Sequence, residues 1–193
     1  MVDSLKVEGR GVRLEPLTLE HLPALCEVGL DAELWRWTLS VVRSREDMRR
    51  YVEAALGEQA AGAALPFVIV DRTSGRVIGS TRYGNIAMRH RRLEIGWTWL
   101  GLAWQRTAAN TETKLLLLTH AFESLGCQRV EFKTDALNGR SRAALLRIGA
   151  REEGTFRRHS VTDDGRTRDT VYFSIVDSEW PETKARLEHM LAR

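Results

Sequence analysis

The apolar residues of this chain change period once, abruptly, and that change constrains its fold more than anything else. In "RRLEIGWTWL", Leu93, Ile95, Trp97 and Trp99 alternate with Glu94, Gly96 and Thr98, the period of two that belongs to a strand. From Asn110 to Leu125 the spacing becomes helical, with Leu115, Leu118, Phe122 and Leu125 on one stripe and Gly126 suited to stop it. A glycine such as Gly96 within a strand marks a bulge or a close backbone approach. The joining stretch, "WQRTAANTETK", contains no glycine, although strand-to-helix turns that grip phosphate usually do. Two readings of it stand side by side: a cradle built from backbone amides, or a loop capped by Asn110.

The remaining pattern is mixed. Val12 to Leu17 reads as a strand, followed by a helix carrying Leu19, Leu22, Leu25 and Cys26 behind Thr18. "AELWRWTLS" is a connector, and Ser44 caps a second helix with Met48, Tyr51, Val52, Ala55 and Leu56 on one stripe. "LPFVIVD", the turn "RTSG" and "RVIGSTRYGNI" form an antiparallel pair leading into the strand already described. "CQRVEFKTDA" is a strand, and "NGRSRAALLRIG" a helix between Asn138 and Gly149. "HSVTDDGRTRDTVYFSIVD" folds as a hairpin about Asp164 and Gly165, and a closing helix carries Pro181 in its first turn. No repeat or linker interrupts this order, so residues 1–193 read as one α/β (α+β) domain with a mostly antiparallel sheet flanked by helices.

Composition excludes several function classes. A chain of 193 residues buries a core without staples. Its net charge of +3 is too mild to imply nucleic acid and suits an acidic small molecule equally well. "RHRR" at Arg89 to Arg92 lacks the interleaved aromatics of a single-strand binder. Cys26 and Cys127 stand alone, so no metal site is expected. The absence of an apolar leader or spanning run points to the cytoplasm.

The order of elements, with "RLEPLTLEHL", "LEIGWTWL", "NTETKLLLLTHAFESLGCQRVEFKTDALNGRSRAALLRIGAREEG" and "GRTRDTVYFSI", resembles the GNAT superfamily of acetyl-coenzyme A-dependent N-acetyltransferases, in its RimJ/RimL-like branch. The likeness covers nearly the whole chain. It implies the GNAT acyl-CoA N-acyltransferase fold and acetyl-CoA as co-substrate, with no metal. It also implies a donor site on Trp97, Trp99, Gln105, Arg106, Thr107, Ala108, Ala109, Asn110, Thr111, Asn138 and Ser141, with Gly96 and Thr98 along the pantetheine arm. The family's two cradle glycines fall on Arg106 and Ala108. Arg106 adds charge that can reach a phosphate, and its bulk is expected to keep the backbone out of left-handed angles.

Amine attack on a thioester needs a base, an oxyanion donor and an acid for the thiolate. Glu94 is the candidate base, with Gly96 and Thr98 expected on its side of the strand; the alternative is a surface ion pair with Arg91 or Arg92. Many relatives supply the acid from a tyrosine where this chain has Leu145, leaving Ser141 or solvent. The resemblance places the acceptor, a small-molecule or peptide amine, against the loop after the first helix, the end of the second helix and the last hairpin. That nominates Trp35, Trp37, Tyr83, Arg157, His159 and Tyr172; the two tryptophans also read as a lid over the core and His159 as a strand-surface residue. A homodimer is compatible with the family. A CoA-binding module of weak catalytic power and a basic nucleic-acid-associated protein are the rival readings.

Overall fold

The computed structural model describes residues 5–192. Eight strands form one sheet: β1 (Val7–Glu8), β2 (Val12–Pro16), β3 (Leu65–Asp71), β4 (Val77–Ala87), β5 (Arg92–Leu100), β6 (Arg129–Asp135), β7 (Arg151–Val161) and β8 (Thr167–Val176), in spatial order β1-β2-β3-β4-β5-β6-β8-β7. Every neighbouring pair is antiparallel except β5 and β6. Among the described residues five α-helices flank it: α1 (Leu22–Gly29), α2 (Arg45–Ala60), α3 (Ala109–Thr119), α4 (Gly139–Ile148) and α5 (Trp180–Leu191).

Each face of the sheet carries its own core. On one, Leu93, Ile95, Phe67 and Ile69 pack with Leu117 and Leu118 of α3, Leu145 and Ile148 of α4 and Leu187 of α5. On the other, Val68 and Val70 pack beneath Leu22 and Leu25 of α1 and Met48, Val52 and Ala55 of α2. β3 contributes to both cores, which is why "LPFVIVD" is apolar without alternation.

Local signals in the sequence account for most element boundaries. Ser44 accepts the Asp47 N–H at 3.1 Å, and Asn138 accepts the Ser141 N–H at 3.0 Å, capping α2 and α4. Gly149 ends α4 in the left-handed region at φ 100°. Three expectations need correction. α3 starts at Ala109, so Asn110 lies inside the helix and is not its cap. The helix then widens into a π-turn, His120–Ser124, before Gly126 stops it, and Leu117 rather than Leu115 is fully buried. β7 begins at Arg151, so the final hairpin is longer than "HSVTDDG" implied, and β8 inserts between β6 and β7.

The decisive local feature lies in β5. Ser80 pairs with Trp99 and Arg82 with Gly96, so the single residue Thr81 of β4 stands opposite both Trp97 and Thr98. This is a β-bulge, with Trp97 at φ 50°. It reverses the alternation. Leu93 and Ile95 face the α3 core, whereas Trp99 joins the core under α1 and α2. Thr98 turns to Lys114 of α3 and so does not share a face with Glu94, contrary to the strict alternation read from sequence.

Candidate functional site

β5 and β6 pair only through Arg92–Arg129, Leu93–Val130 and Glu94–Glu131, and beyond Glu94 they part. The bulge at Trp97 breaks the regular ladder of β5 and bends the strand just beyond the last paired residue. A cleft of about 590 Å3 opens in the gap. Its walls are Gly96 to Leu100 of β5, Phe132 and Lys133 of β6, and the inner side of α4 with Ser141 and Leu145. Gln105, Arg106, Thr107 and Asn110, at the start of α3, form its mouth.

The cleft is built for an anion at its mouth. Helix α3 leaves its first-turn N–H groups without intrahelical partners, and the Glu112 N–H makes the first helical bond, to Ala108 O at 2.9 Å. Thr107 Oγ1 accepts the Ala109 N–H at 3.2 Å, taking one of them. Five cationic side chains, Arg106, Lys114, Lys133, Arg140 and Arg147, line the cleft against one carboxylate, Glu33. Arg106 itself sits at φ 63°, the left-handed conformation that its bulk was expected to forbid. The chain therefore keeps a glycine-like backbone at this turn with an arginine in place, at a cost of about 1–2 kcal/mol.

A second cavity, of about 780 Å3, lies on the α2 side. It is formed by the α1–α2 connector, α2, β4 and the tip of the β7–β8 hairpin. Asp163 clasps the connector, accepting the Val41 N–H at 3.1 Å and donating its own N–H to Leu39 O at 3.0 Å. Asp47, Glu58, Asp163 and Asp164 outnumber Arg43, Arg50 and Arg82 by one in its lining, so this cavity is mildly acidic where the cleft is basic. Trp97 lines both. Its indole lies over Gly84, where an added Cβ would come within 2.3 Å of the ring, and Arg82 stacks on it at 4.8 Å. Only glycine at position 84 lets the tryptophan lie flat against β4.

Glu94 stands beside the point where the strands part. It is 4% exposed, accepts from Asn85 Nδ2 and pairs with Lys133 at 2.7 Å. Its partner is thus Lys133, not Arg91 or Arg92; Arg92 instead meets Glu131 at 3.3 Å. Burial disfavours the Lys133 charge, but the Glu94 carboxylate and the Tyr172 hydroxyl together hold its ammonium above the ordinary lysine value. Lys114, unlike the half-buried Lys133, is buried, and desolvation lowers it to about 7 against the opposing charge of Glu94.

Of the residues nominated for the donor, Trp97, Trp99, Gln105, Arg106, Thr107, Asn110, Asn138 and Ser141 line the cleft. Trp99 does so from a buried position against Trp35. Ala108 caps α3, while Ala109 and Thr111 are buried within it, so these three offer backbone rather than side chains. The acceptor nominations fare differently. Trp37 lines the cleft, stacked by Arg36 and Arg166. Trp35 is core, donating to Gly29 O at 2.7 Å, and Tyr83 is core on the opposite face, donating to Leu117 O at 2.6 Å. Neither lies in a cavity, because Trp35 packs in the core under α1 and α2 and Tyr83 in the core under α3. His159 and Tyr172 cluster with Phe156 on β7 and β8, and Arg157 is exposed beside them; none of these lines either cavity, although the Tyr172 ring lies 5.0 Å from the ammonium of Lys133 in the cleft wall. Sequence reasoning passed over Lys114. Its signal was present: it shares i, i+3 and i+4 spacing with Leu117 and Leu118, placing a charge on the buried stripe.

Comparison with known proteins places this architecture. The sequence model of the acetyltransferase (GNAT) domain matches residues 12–151. The Bacillus subtilis (strain 168) protein YdaF, provisionally named a ribosomal N-acetyltransferase, is 33% identical over 110 residues, which span 57% of this chain and 59% of that relative's length. A structure from T. thermophilus, provisionally named an acetyltransferase, is 40% identical and superposes with a TM-score of 0.88 over 96% of both chains. Mycobacterium smegmatis RimJ, solved in complex with CoA-disulfide, is 25% identical with a TM-score of 0.79 over 93% of this chain and 88% of that one.

Proposed function

The chain belongs to the GNAT family of acetyltransferases, and from that premise we propose that it moves an acetyl group from acetyl-CoA to a primary amine by direct attack within a ternary complex. The amine belongs to a protein N-terminus, an amino acid derivative or a small metabolite. One observation carries the reading: a basic cleft and a mildly acidic cavity share a single wall, Trp97. The basic cleft suits a polyanionic donor, with the pyrophosphate against the first turn of α3 and the arm between β5 and β6. The acidic cavity suits a cationic or polar amine. Reactants arriving from the two sides would meet at the bulge, where the gain is one of proximity.

No cysteine lines either cavity; Cys127 is buried and Cys26 half-buried. This supports direct attack over a cysteine acyl-enzyme. Glu94, at the closed end of the splay, would take the amine proton through water, while its ion pair with Lys133 keeps the carboxylate in place.

Titration with acetyl-CoA, followed by tryptophan emission, and then thiol release against a panel of amines test the proposal. Saturable binding with amine-dependent thiol release is the expected result. Tight binding without turnover on any amine would instead favour a CoA-binding module, and absence of binding would remove the reading altogether.

A further inference from the structure

Deep in the cleft lies a lysine that neither the fold nor phosphate binding requires. Lys114 is 5% exposed and lines the cleft together with Thr98, Phe132 and Leu145. Its ammonium donates to Thr98 Oγ1 at 3.0 Å and lies 5.4 Å from the centre of the Phe132 ring. Among the described residues no carboxylate comes within 4.0 Å of it. An ammonium has three donors, so two are left for whatever occupies the cleft. Burying a cation with a single neutral partner is costly and brings the fold no return.

The position argues for the reactive end of the donor and against its phosphates. Asn110, at the mouth, precedes Lys114 by one turn, so Lys114 lies ~6 Å further along the α3 axis. Its hydrogen-bond partner Thr98 is adjacent to the bulge residue Trp97, where the cleft and the second cavity meet. The same cleft wall carries Leu145, the aliphatic residue standing where the family resemblance implies a tyrosine. The nearby hydroxyl, Ser141, is a far weaker acid than an ammonium, which leaves Lys114 the stronger proton donor in this cleft.

We propose that Lys114 is the proton donor to the coenzyme A thiolate, filling the role that Leu145 cannot. The inference rests on the acetyl-transfer reading above. As the amine nitrogen bonds to the carbonyl carbon, the C–S bond breaks and its electron pair leaves on sulfur. A proton passes from Lys114 Nζ to that sulfur, the surplus proton of the amine goes to water and Glu94, and solvent then restores the lysine. An ordinary thiol titrates near ~8.5, and Lys114, brought to about 7 by burial, is the stronger acid of the two. The charges around it are Glu94 on β5, which favours the ammonium, Lys133 on β6, Arg106 at the mouth, and Arg140 and Arg147 on α4.

Kinetics of wild type, Lys114→Met and Lys114→Arg across a pH series from about 6 to about 9 test this. The expected result for Lys114→Met is a fall in kcat on the order of 100-fold with little change in KM for acetyl-CoA. The alkaline limb, on which wild-type kcat falls as pH rises past about 7, should vanish with it. Lys114→Arg keeps the charge but is too weak an acid to donate, so it should remain as slow as the methionine variant. Recovery of kcat in Lys114→Arg would overturn the proposal in favour of a charge that only binds. A readout independent of turnover is the thiolate absorbance of bound coenzyme A, which should appear at lower pH in wild type than in Lys114→Met. Identical thiol titrations would place the lysine away from sulfur and overturn the proposal. Loss of succinyl-CoA turnover with acetyl-CoA turnover intact would also overturn it, because Lys114 would then be reading a carboxylate on the acyl group. Failure of the parent reading looks different: wild type itself would release no thiol with any amine.

Discussion

Arg106 condenses the argument at the scale of the residue. The family pattern places a glycine there, and the backbone adopts glycine's conformation, φ 63°, with an arginine side chain that lines the cleft mouth. Strain of about 1–2 kcal/mol is retained in exchange for a guanidinium at the cleft mouth, where the proposed donor would enter. Arg106→Gly should therefore raise stability by about 1 kcal/mol in denaturant unfolding while weakening coenzyme A binding. A variant both less stable and unchanged in affinity would show that the arginine serves the fold instead. Glu94 makes the opposite case, a charge fully held by partners. Glu94→Gln should lower kcat on the order of 100-fold with a much smaller effect on coenzyme A affinity, read by thiol release and by titration. An unchanged rate would exclude Glu94 as the base.

At the scale of the element, α3 does two jobs with buried polar residues on opposite sides of the helix. Its buried residues include Thr111, Glu112, Thr113 and Lys114, where an ordinary helix would carry leucines. Glu112 turns outward from the cleft and receives the N–H groups of Arg10, Gly11 and Val12, tying the β1–β2 turn to the helix that forms the cleft mouth. Removing that carboxylate leaves three backbone donors without an acceptor. Glu112→Ala should cost about 3 kcal/mol, seen as a lower denaturant midpoint with the m-value kept. A loss under half of that would mean that water replaces the carboxylate. The bulge in β5 is the second such element: it turns Trp97 onto Gly84 and Thr98 onto Lys114, so a single extra residue supplies one group to each side of the strand.

For the whole molecule, the cost of the buried lysine should be visible in how stability responds to pH. An unfolded lysine keeps its proton to about 10.4, whereas Lys114 in the fold gives it up near about 7. Between those values the unfolded chain binds the additional proton, so stability of the ligand-free protein rises with pH from about 7. Burial raises Cys26 and Cys127 above their ordinary thiol range, so their contribution opposes the rise once pH passes that range. Thermal melts across that window check the slope, and Lys114→Met should flatten it. A wild-type melting temperature independent of pH between about 7 and about 9 would show that the lysine stays charged inside the fold.

Much of the architecture was already written locally in the chain. Caps such as Ser44 and Asn138, the stop at Gly149 and the alternation up to Ile95 depend on neighbours a few residues away, and such signals survive in one dimension. The strand, turn and helix at the cleft mouth were legible for the same reason, since they follow each other in sequence. The residues nominated for the acceptor were not. Trp35 and Tyr83 are packed in the two cores and His159 lies on the outer strands, through contacts between segments far apart in the chain that local periodicity does not carry. The bulge that reverses β5 and the parting of β5 from β6 arise from pairing between strands far apart in the chain. They, and the desolvation that makes Lys114 an acid, exist only once the layers have closed on one another.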